Sequence, residues 1–231
     1  MHPIERLRYV ARAGWAGPAS LGAEAAYALA DLAEYEPAAL LPACRRLLER
    51  NASCGPLWWV AARMCSTGDP MAEAERCAEE LEEDPSEELL EQALLDRPRV
   101  VRHGGVSDVA AADVVVLESD ALGPTGMVLD PDDCGLLEAA RVCEVDVWVL
   151  AGVGRVLPLR LWQALVDRLE ASEPPVRRVT NFFDDPELRR RVVLSDLRGV
   201  TRIVGPFGVR GVADALAQSG CPEPAELVTR R

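Results

Sequence analysis

Residues 113–155 read DVVVLESDALGPTGMVLDPDDCGLLEAARVCEVDVWVLAGVGR, and the order of elements in them decides the fold. Val114-Val115-Val116-Leu117 is an unbroken apolar run rich in β-branched valine, the pattern of a strand. It ends in Glu118-Ser119-Asp120 and passes into a loop that carries Gly123 and Gly126. A helix is predicted from Pro131 to Cys143, with Asp130 placed to cap it and Pro131 at its first position. A second apolar strand, 146–151, ends in Gly152-Val153-Gly154-Arg155. Strand, loop, helix and strand make a βαβ unit. The loop after its first strand lies at the carboxyl edge of a parallel sheet, where open α/β folds bind ligands.

Upstream of this unit the pattern is helical. Ala23 to Glu36 and Pro37 to Arg50 carry apolar residues at spacings of three and four, and Leu57 to Met64 buries Trp58 and Trp59. Asp69-Pro70 and Asp84-Pro85 have the form of an N-cap before a first-turn proline, and Glu87 completes a capping-box spacing with Asp84. From Arg97 onward short strands alternate with helices. Strands are predicted at 98–102, 113–117, 146–151, 176–179 and 201–204, and helices at 131–143, 158–170, after Asp185-Pro186, and at 209–219. The reading is a helical N-terminal subdomain over 1–96, then a Rossmann-like α/β domain over 97–231 with a parallel sheet flanked by helices.

Composition limits the function. The 231 residues are 49% hydrophobic, enough for a packed core. A formal charge of −13 argues against a grip on nucleic acid, which needs clustered cations. No apolar run is long enough to span a membrane. Seven dispersed cysteines with no CxxC pair, and a start without an apolar signal segment, lead to the expectation of reduced thiols in a cytoplasm. There is no lysine, which excludes Schiff-base chemistry and a P-loop lysine from these residues. His2 and His103 are the two histidines, too few for a histidine-built zinc site without the N-terminal tail.

The strand Val116 to Asp120, the segment Gly126-Met127-Val128-Leu129-Asp130, the helix after it and the strand Val147 to Ala151 together resemble one family. It unites the alpha, beta and delta subunits of eukaryotic translation initiation factor 2B with methylthioribose-1-phosphate isomerase and ribose-1,5-bisphosphate isomerase. Asn181-Phe182-Phe183-Asp184 is similar to a further segment of that family, and Asn181 and Asp184 are carried over as ligand-binding positions. The resemblance implies a helical part followed by a Rossmann-like sheet, a homodimer, and a small phosphorylated sugar or nucleotide as ligand, with no cofactor. In the isomerases a Cys and an Asp act as acid–base pair on the sugar. Asp120 matches the Asp, but no cysteine lies between Cys77 and Cys134. The family's Asn-Lys pair is Asp130-Pro131 here, its Gly-Thr is Asp133-Cys134, and the first part of the sheet reads as shortened. The resemblance therefore implies a regulatory or ligand-sensing scaffold without intact isomerase chemistry. The alternative is an aldose–ketose isomerase with Asp120 as base and Glu118 or Asp133 as acid.

The rim residues carry competing readings. Asp120 is either a general base or a loop residue that accepts backbone N–H bonds, and the second is favoured without a cysteine partner. Asp130, Asp132 and Asp133 invite a metal, yet capping and the helix dipole explain them better, and they would repel a phosphate. Gly152 and Gly154 suggest a phosphate loop but lack its third glycine. Arg155 could clamp an anion, although a solvated surface role is favoured. Cys134 stands at a helix N-terminus beside aspartates that oppose a thiolate. A protein partner docking on Trp58 and Trp59 requires both rings to be exposed.

Overall fold

The computed structural model describes residues 5, 17–102, 105–171 and 192–228. By contact the chain divides into two units that interleave along the sequence. One holds residues 1–83, 158–190 and 221–231; the other holds 84–157 and 191–220. The break at 96/97 follows a change of residue pattern, whereas this division follows packing, and the two cut the chain differently.

The elements in chain order begin with α1 (Pro18–Tyr35), α2 (Leu40–Arg50), α3 (Gly55–Ser66), α4 (Pro70–Glu82) and α5 (Ser86–Leu94). Next come β1 (Val100–Val101), a short 3-10 turn, β2 (Val114–Glu118), β3 (Ala121–Gly123), β4 (Gly126–Leu129), α6 (Pro131–Cys143), β5 (Asp146–Leu150) and α7 (Leu159–Ala171). Then follow β6 (Val193–Ser195), β7 (Val200–Gly205), β8 (Gly208–Arg210), α8 (Val212–Leu216) and α9 (Ala225–Val228). The strand expected at 176–179 and the helix after Asp185-Pro186 lie outside the described residues, as do His103, Asn181 and Asp184.

In the helical unit α1 buries a ladder of alanines and leucines against α3 and α4. The close approach needs Gly22. A Cβ there would lie 3.2 Å from Pro56 Cβ and 2.9 Å from Leu81 Cδ1. Asp69 caps α4, its carboxylate accepting from the Ala72 N–H at 3.2 Å, as its sequence position before Pro70 predicts. Trp58 and Trp59 are 0% and 4% exposed. The Trp58 indole donates to the Ala52 carbonyl at 2.8 Å, and Arg168 of α7 lies 4.6 Å over its ring. Rings so enclosed are core anchors and offer no docking surface.

The α/β unit is built on a five-stranded sheet in the order β1-β2-β5-β7-β8, parallel except for β8. Its strands are buried on both sides, and alternate residues sort to opposite faces. Val115, Leu117, Val147, Val149 and Ile203 meet Leu136, Leu137 and Ala140 of α6. Val114, Val116, Trp148, Leu150 and Val204 meet Leu90 of α5. Each fully buried aliphatic side chain of this kind is worth about 1.5–3 kcal/mol. Because both faces are apolar, burial alone does not set the register. Polar residues bracket the strands instead. Asp113 ahead of β2 accepts from the Arg99 N–H at 3.1 Å and from its guanidinium at 2.7 Å. Asp146, opening β5, pairs with Arg97 at 3.7 Å.

Two local findings differ from the sequence expectations, and a third has no signature in the sequence. The loop after β2 is a β-hairpin, β3–β4, turning at Pro124-Thr125, and β6 joins it to form a second, three-stranded sheet. The helix expected over 209–219 shrinks to α8, because Gly208–Arg210 pairs with β7 as strand β8. Gly208 at φ +83° makes that reversal, a conformation that glycine adopts without strain. The β5–β7 pairing contains a register shift at Val147, where the Thr201 hydroxyl donates to the Val147 carbonyl at 3.0 Å.

Candidate functional site

The carboxyl edge of the parallel sheet collects the residues that the sequence singled out on β2 and β5. β2 delivers Glu118 and, just beyond it, Ser119 and Asp120; β5 leads through Ala151 into Gly152-Val153-Gly154-Arg155. The second segment is a turn. The Arg155 N–H donates to the Gly152 carbonyl at 3.1 Å, with Gly154 at φ +74°. It then runs alongside β3, the Leu122 N–H donating to the Arg155 carbonyl and the Leu157 N–H to the Leu122 carbonyl, each at 2.8 Å. The hairpin is thus sewn to the exit of β5.

Arg155 is not the solvated surface arginine that the sequence favoured. Its side chain is 13% exposed, and Nη1 donates to Glu118 Oε1 at 2.8 Å and to the Ser119 carbonyl at 2.9 Å. Through Nη1 the guanidinium ties the two strand exits together. Glu118 remains partly open to solvent, so this ion pair contributes less through charge than through holding geometry.

Ser119 is fully buried, and its hydroxyl is shared between the Ala121 carbonyl at 2.7 Å and the Val128 carbonyl at 3.1 Å. Asp120 is 4% exposed, and its backbone N–H donates to the same Val128 carbonyl at 3.0 Å. The acid is therefore held inside the root of the hairpin. Gly123 and Gly126 face each other across the hairpin turn, at the tip of β3–β4.

Two residues past Val128 comes the start of α6. Asp130 Oδ1 accepts from the Asp132 N–H at 3.1 Å, which is the N-cap bond that the sequence implied. Asp132 and Asp133 follow in the first turn, so the positive end of this helix is already met by carboxylates. Burial, with the charges of Asp133, Asp130 and Glu138, pushes the Cys134 thiol up, which disfavours the thiolate. Among the described residues no group of three or more His, Cys, Asp or Glu side chains could hold a metal ion.

One residue of the rim carries only a helix-cap signature in the sequence. Asp84 does accept from the Ser86 N–H at 3.0 Å at the start of α5. Its other oxygen accepts from the Val153 N–H at 2.8 Å, inside the turn after β5. Gly152 leaves the room for it, since a Cβ there would sit 2.1 Å from Asp84 Oδ2. The pairing joins residues 69 apart and has no signature in local sequence. Glu87, read as the partner in a capping box, gives both carboxylate oxygens to Arg102.

No protein-family model matches the chain, and no curated protein does. Solved structures do. The chain is similar to eIF2B beta from Chaetomium thermophilum at 11% identity and a TM-score of 0.64, over 96% of this chain and 92% of that one. It is similar to the Pyrococcus horikoshii OT3 translation initiation factor eIF-2B at 13% identity and 0.65, over 93% and 98%. The tetrameric eIF2B-beta2-delta2 complex from C. thermophilum matches at 12% identity and 0.65, over 94% and 93%. The match spans nearly the whole of these solved chains. At 11–13% identity the likeness speaks for architecture alone: the chain has the fold of eIF2B subunits.

Proposed function

We propose that this protein is a regulatory or ligand-sensing scaffold built like an eIF2B subunit, without isomerase chemistry at its sheet edge. The observation that carries the reading is the state of the rim. Arg155 commits its Nη1 donors to Glu118 and the Ser119 carbonyl, Val153 gives its N–H to Asp84, and the adjacent helix start carries Asp130, Asp132 and Asp133. Groups that would cradle a phosphate are turned to holding the fold, and the remaining charge is negative. Cys134 stays a protonated thiol and supplies no partner for Asp120.

The scaffold works as a homodimer formed through its α/β unit, in a reducing cytoplasm. Support for assembly comes from the solved neighbour that is itself a tetrameric beta2-delta2 complex. A small phosphorylated sugar or a nucleotide is the ligand class, bound away from this sheet edge, and a protein partner is the alternative means of regulation.

The test is turnover. Ribose-1-phosphate-type sugars incubated with the purified chain are expected to remain unconverted by NMR. Conversion that disappears in Asp120→Asn would overturn the reading in favour of an isomerase with Asp120 as its base. A thermal-shift screen of the same protein against sugar phosphates and nucleotides identifies the ligand, because binding to the native state raises the midpoint. Sedimentation of the unliganded chain as a monomer at micromolar concentration would remove the dimer.

A further inference from the structure

The segment 221–228 belongs to the helical unit and is held there by few groups. Residues 219–224 form no helix or strand, and α9 after them is a single turn packed against α2, α3 and α7. Within the segment Leu227 is the one fully buried side chain; its neighbours are half-buried or exposed. The other ties are polar. Glu223 accepts from the Arg160 N–H at the start of α7 at 2.9 Å. Arg45 Nη2 of α2 donates to the Glu226 carbonyl, and Arg168 Nη2 of α7 lies 3.5 Å from the Leu227 carbonyl. Both arginines meet backbone here, so the seat asks little of its occupant beyond a helical turn and one apolar side chain.

Arg45 shows that the resident segment fills this seat incompletely. The Nε–H and one Nη2–H of a guanidinium point the same way and form a fork that takes both oxygens of a carboxylate. In Arg45 the Nη2 prong meets a single carbonyl oxygen. Its Nε is buried and, among the described residues, has no hydrogen-bond partner. A buried N–H without an acceptor weakens the docked state. A carboxylate in place of that carbonyl would fill both prongs with charge-assisted bonds and leave no donor stranded.

We propose that residues 221–228 are a resident plug in a docking seat. The better occupant is a short helix of a partner protein, with a leucine to take the place of Leu227 and a carboxylate for the Arg45 fork. The two groups must arrive together, since a free carboxylate leaves the place of Leu227 among α2, α3 and α7 unfilled. The plug is displaceable because one buried leucine and a few polar bonds offset the ordering of the whole segment. Such elements open locally while the helices beneath them stay folded. The seat belongs to the helical unit and not to the sheet edge, so sugar turnover at that edge would leave the proposal standing.

The experiment uses the full chain and a fluorescent peptide that copies residues 222–228 and continues with two glutamates, beside a control that continues with two glutamines. Hydrogen exchange in the wild-type chain is expected to be at least roughly tenfold faster in α9 than in α2 and α3. By fluorescence anisotropy the glutamate peptide is expected to bind roughly tenfold more tightly than the control. That preference should vanish in Arg45→Lys, which keeps the charge and loses the fork. Leu227→Ala, which loosens the plug, should bind the glutamate peptide roughly tenfold more tightly than wild type does. Amides of α9 as well protected as those of α2 and α3 would overturn the proposal, because the segment would then be a fixed part of its unit. So would equal binding of the two peptides to the wild-type chain, or no binding of either. These outcomes are read on the unmutated protein, so poor folding of a variant does not weaken the test.

Discussion

A methyl group on Gly152 would fall 2.1 Å from Asp84 Oδ2, and that carboxylate is pinned on its other side by the Ser86 backbone. Gly152→Ala must therefore break the bond to the Val153 N–H, with an expected loss of about 1–3 kcal/mol in urea unfolding. Asp84→Ala removes this bond together with those from the Ser86 N–H and hydroxyl, and is expected to cost at least as much. Glu73 offers a test by pH. Burial alone would raise its carboxyl, but hydrogen bonds from Arg76 and Arg63 outweigh it and hold Glu73 below the ordinary carboxylate value. A depressed folded value means the contribution is complete above about pH 4.3 and is lost as pH falls through the lower folded value. Urea midpoints of wild type and Glu73→Gln should converge on acidification from about pH 6 to about pH 3. Residues acting on their own neighbours were legible in the sequence; Asp69 and Asp130 cap the helices that their positions announce. Arg155 was not, because its partners Glu118 and Ser119 lie 37 and 36 residues away and meet it only through the sheet.

At the scale of elements, β2, α6 and β5 stand where the run from Asp113 to Ala151 placed them, because five-residue apolar strands and a capped helix are local patterns. The hairpin between them was missed. Ala121–Gly123 and Gly126–Leu129 are too short for a period to show, and neither glycine has the positive φ that would mark a tight turn. β8 was absorbed into a predicted helix, since three residues beside Gly208 carry no strand pattern of their own. Arg141 is a counterpart of Arg155 at the far end of α6. It donates to the Arg198 carbonyl at 2.8 Å and to Asp196 Oδ1 at 2.6 Å, holding the turn between β6 and β7. Arg141→Ala is expected to cost about 1–2 kcal/mol, discounted for the exposure of Asp196, and to speed hydrogen exchange in β6 ahead of β2 and β5.

For the whole molecule, contact rather than residue pattern draws the boundaries. The helical unit is completed from the far end of the chain, with Arg168 over Trp58 and the fully buried Leu227 of α9 beside α2 and α3. A fragment of residues 1–96 lacks α7 and α9, and is expected to lose cooperative unfolding and the near-ultraviolet signal of Trp58 and Trp59. A sharp two-state transition in that fragment would show the N-terminal helices to be self-sufficient. Sequence reasoning could not find this return, because α7 has the same amphipathic pattern whichever unit it packs against.

The interleaving has a consequence for biosynthesis. β5 is finished at residue 150, but its partner β7 begins at residue 200, after all of α7 has been made. A ribosome adding about 5–20 residues per second reaches the end of β7 roughly 3–11 s after completing β5. Through that interval the nascent β5 has an unpaired margin, so a slowed or stalled ribosome between residues 150 and 205 should yield chains that chaperones capture or that clump.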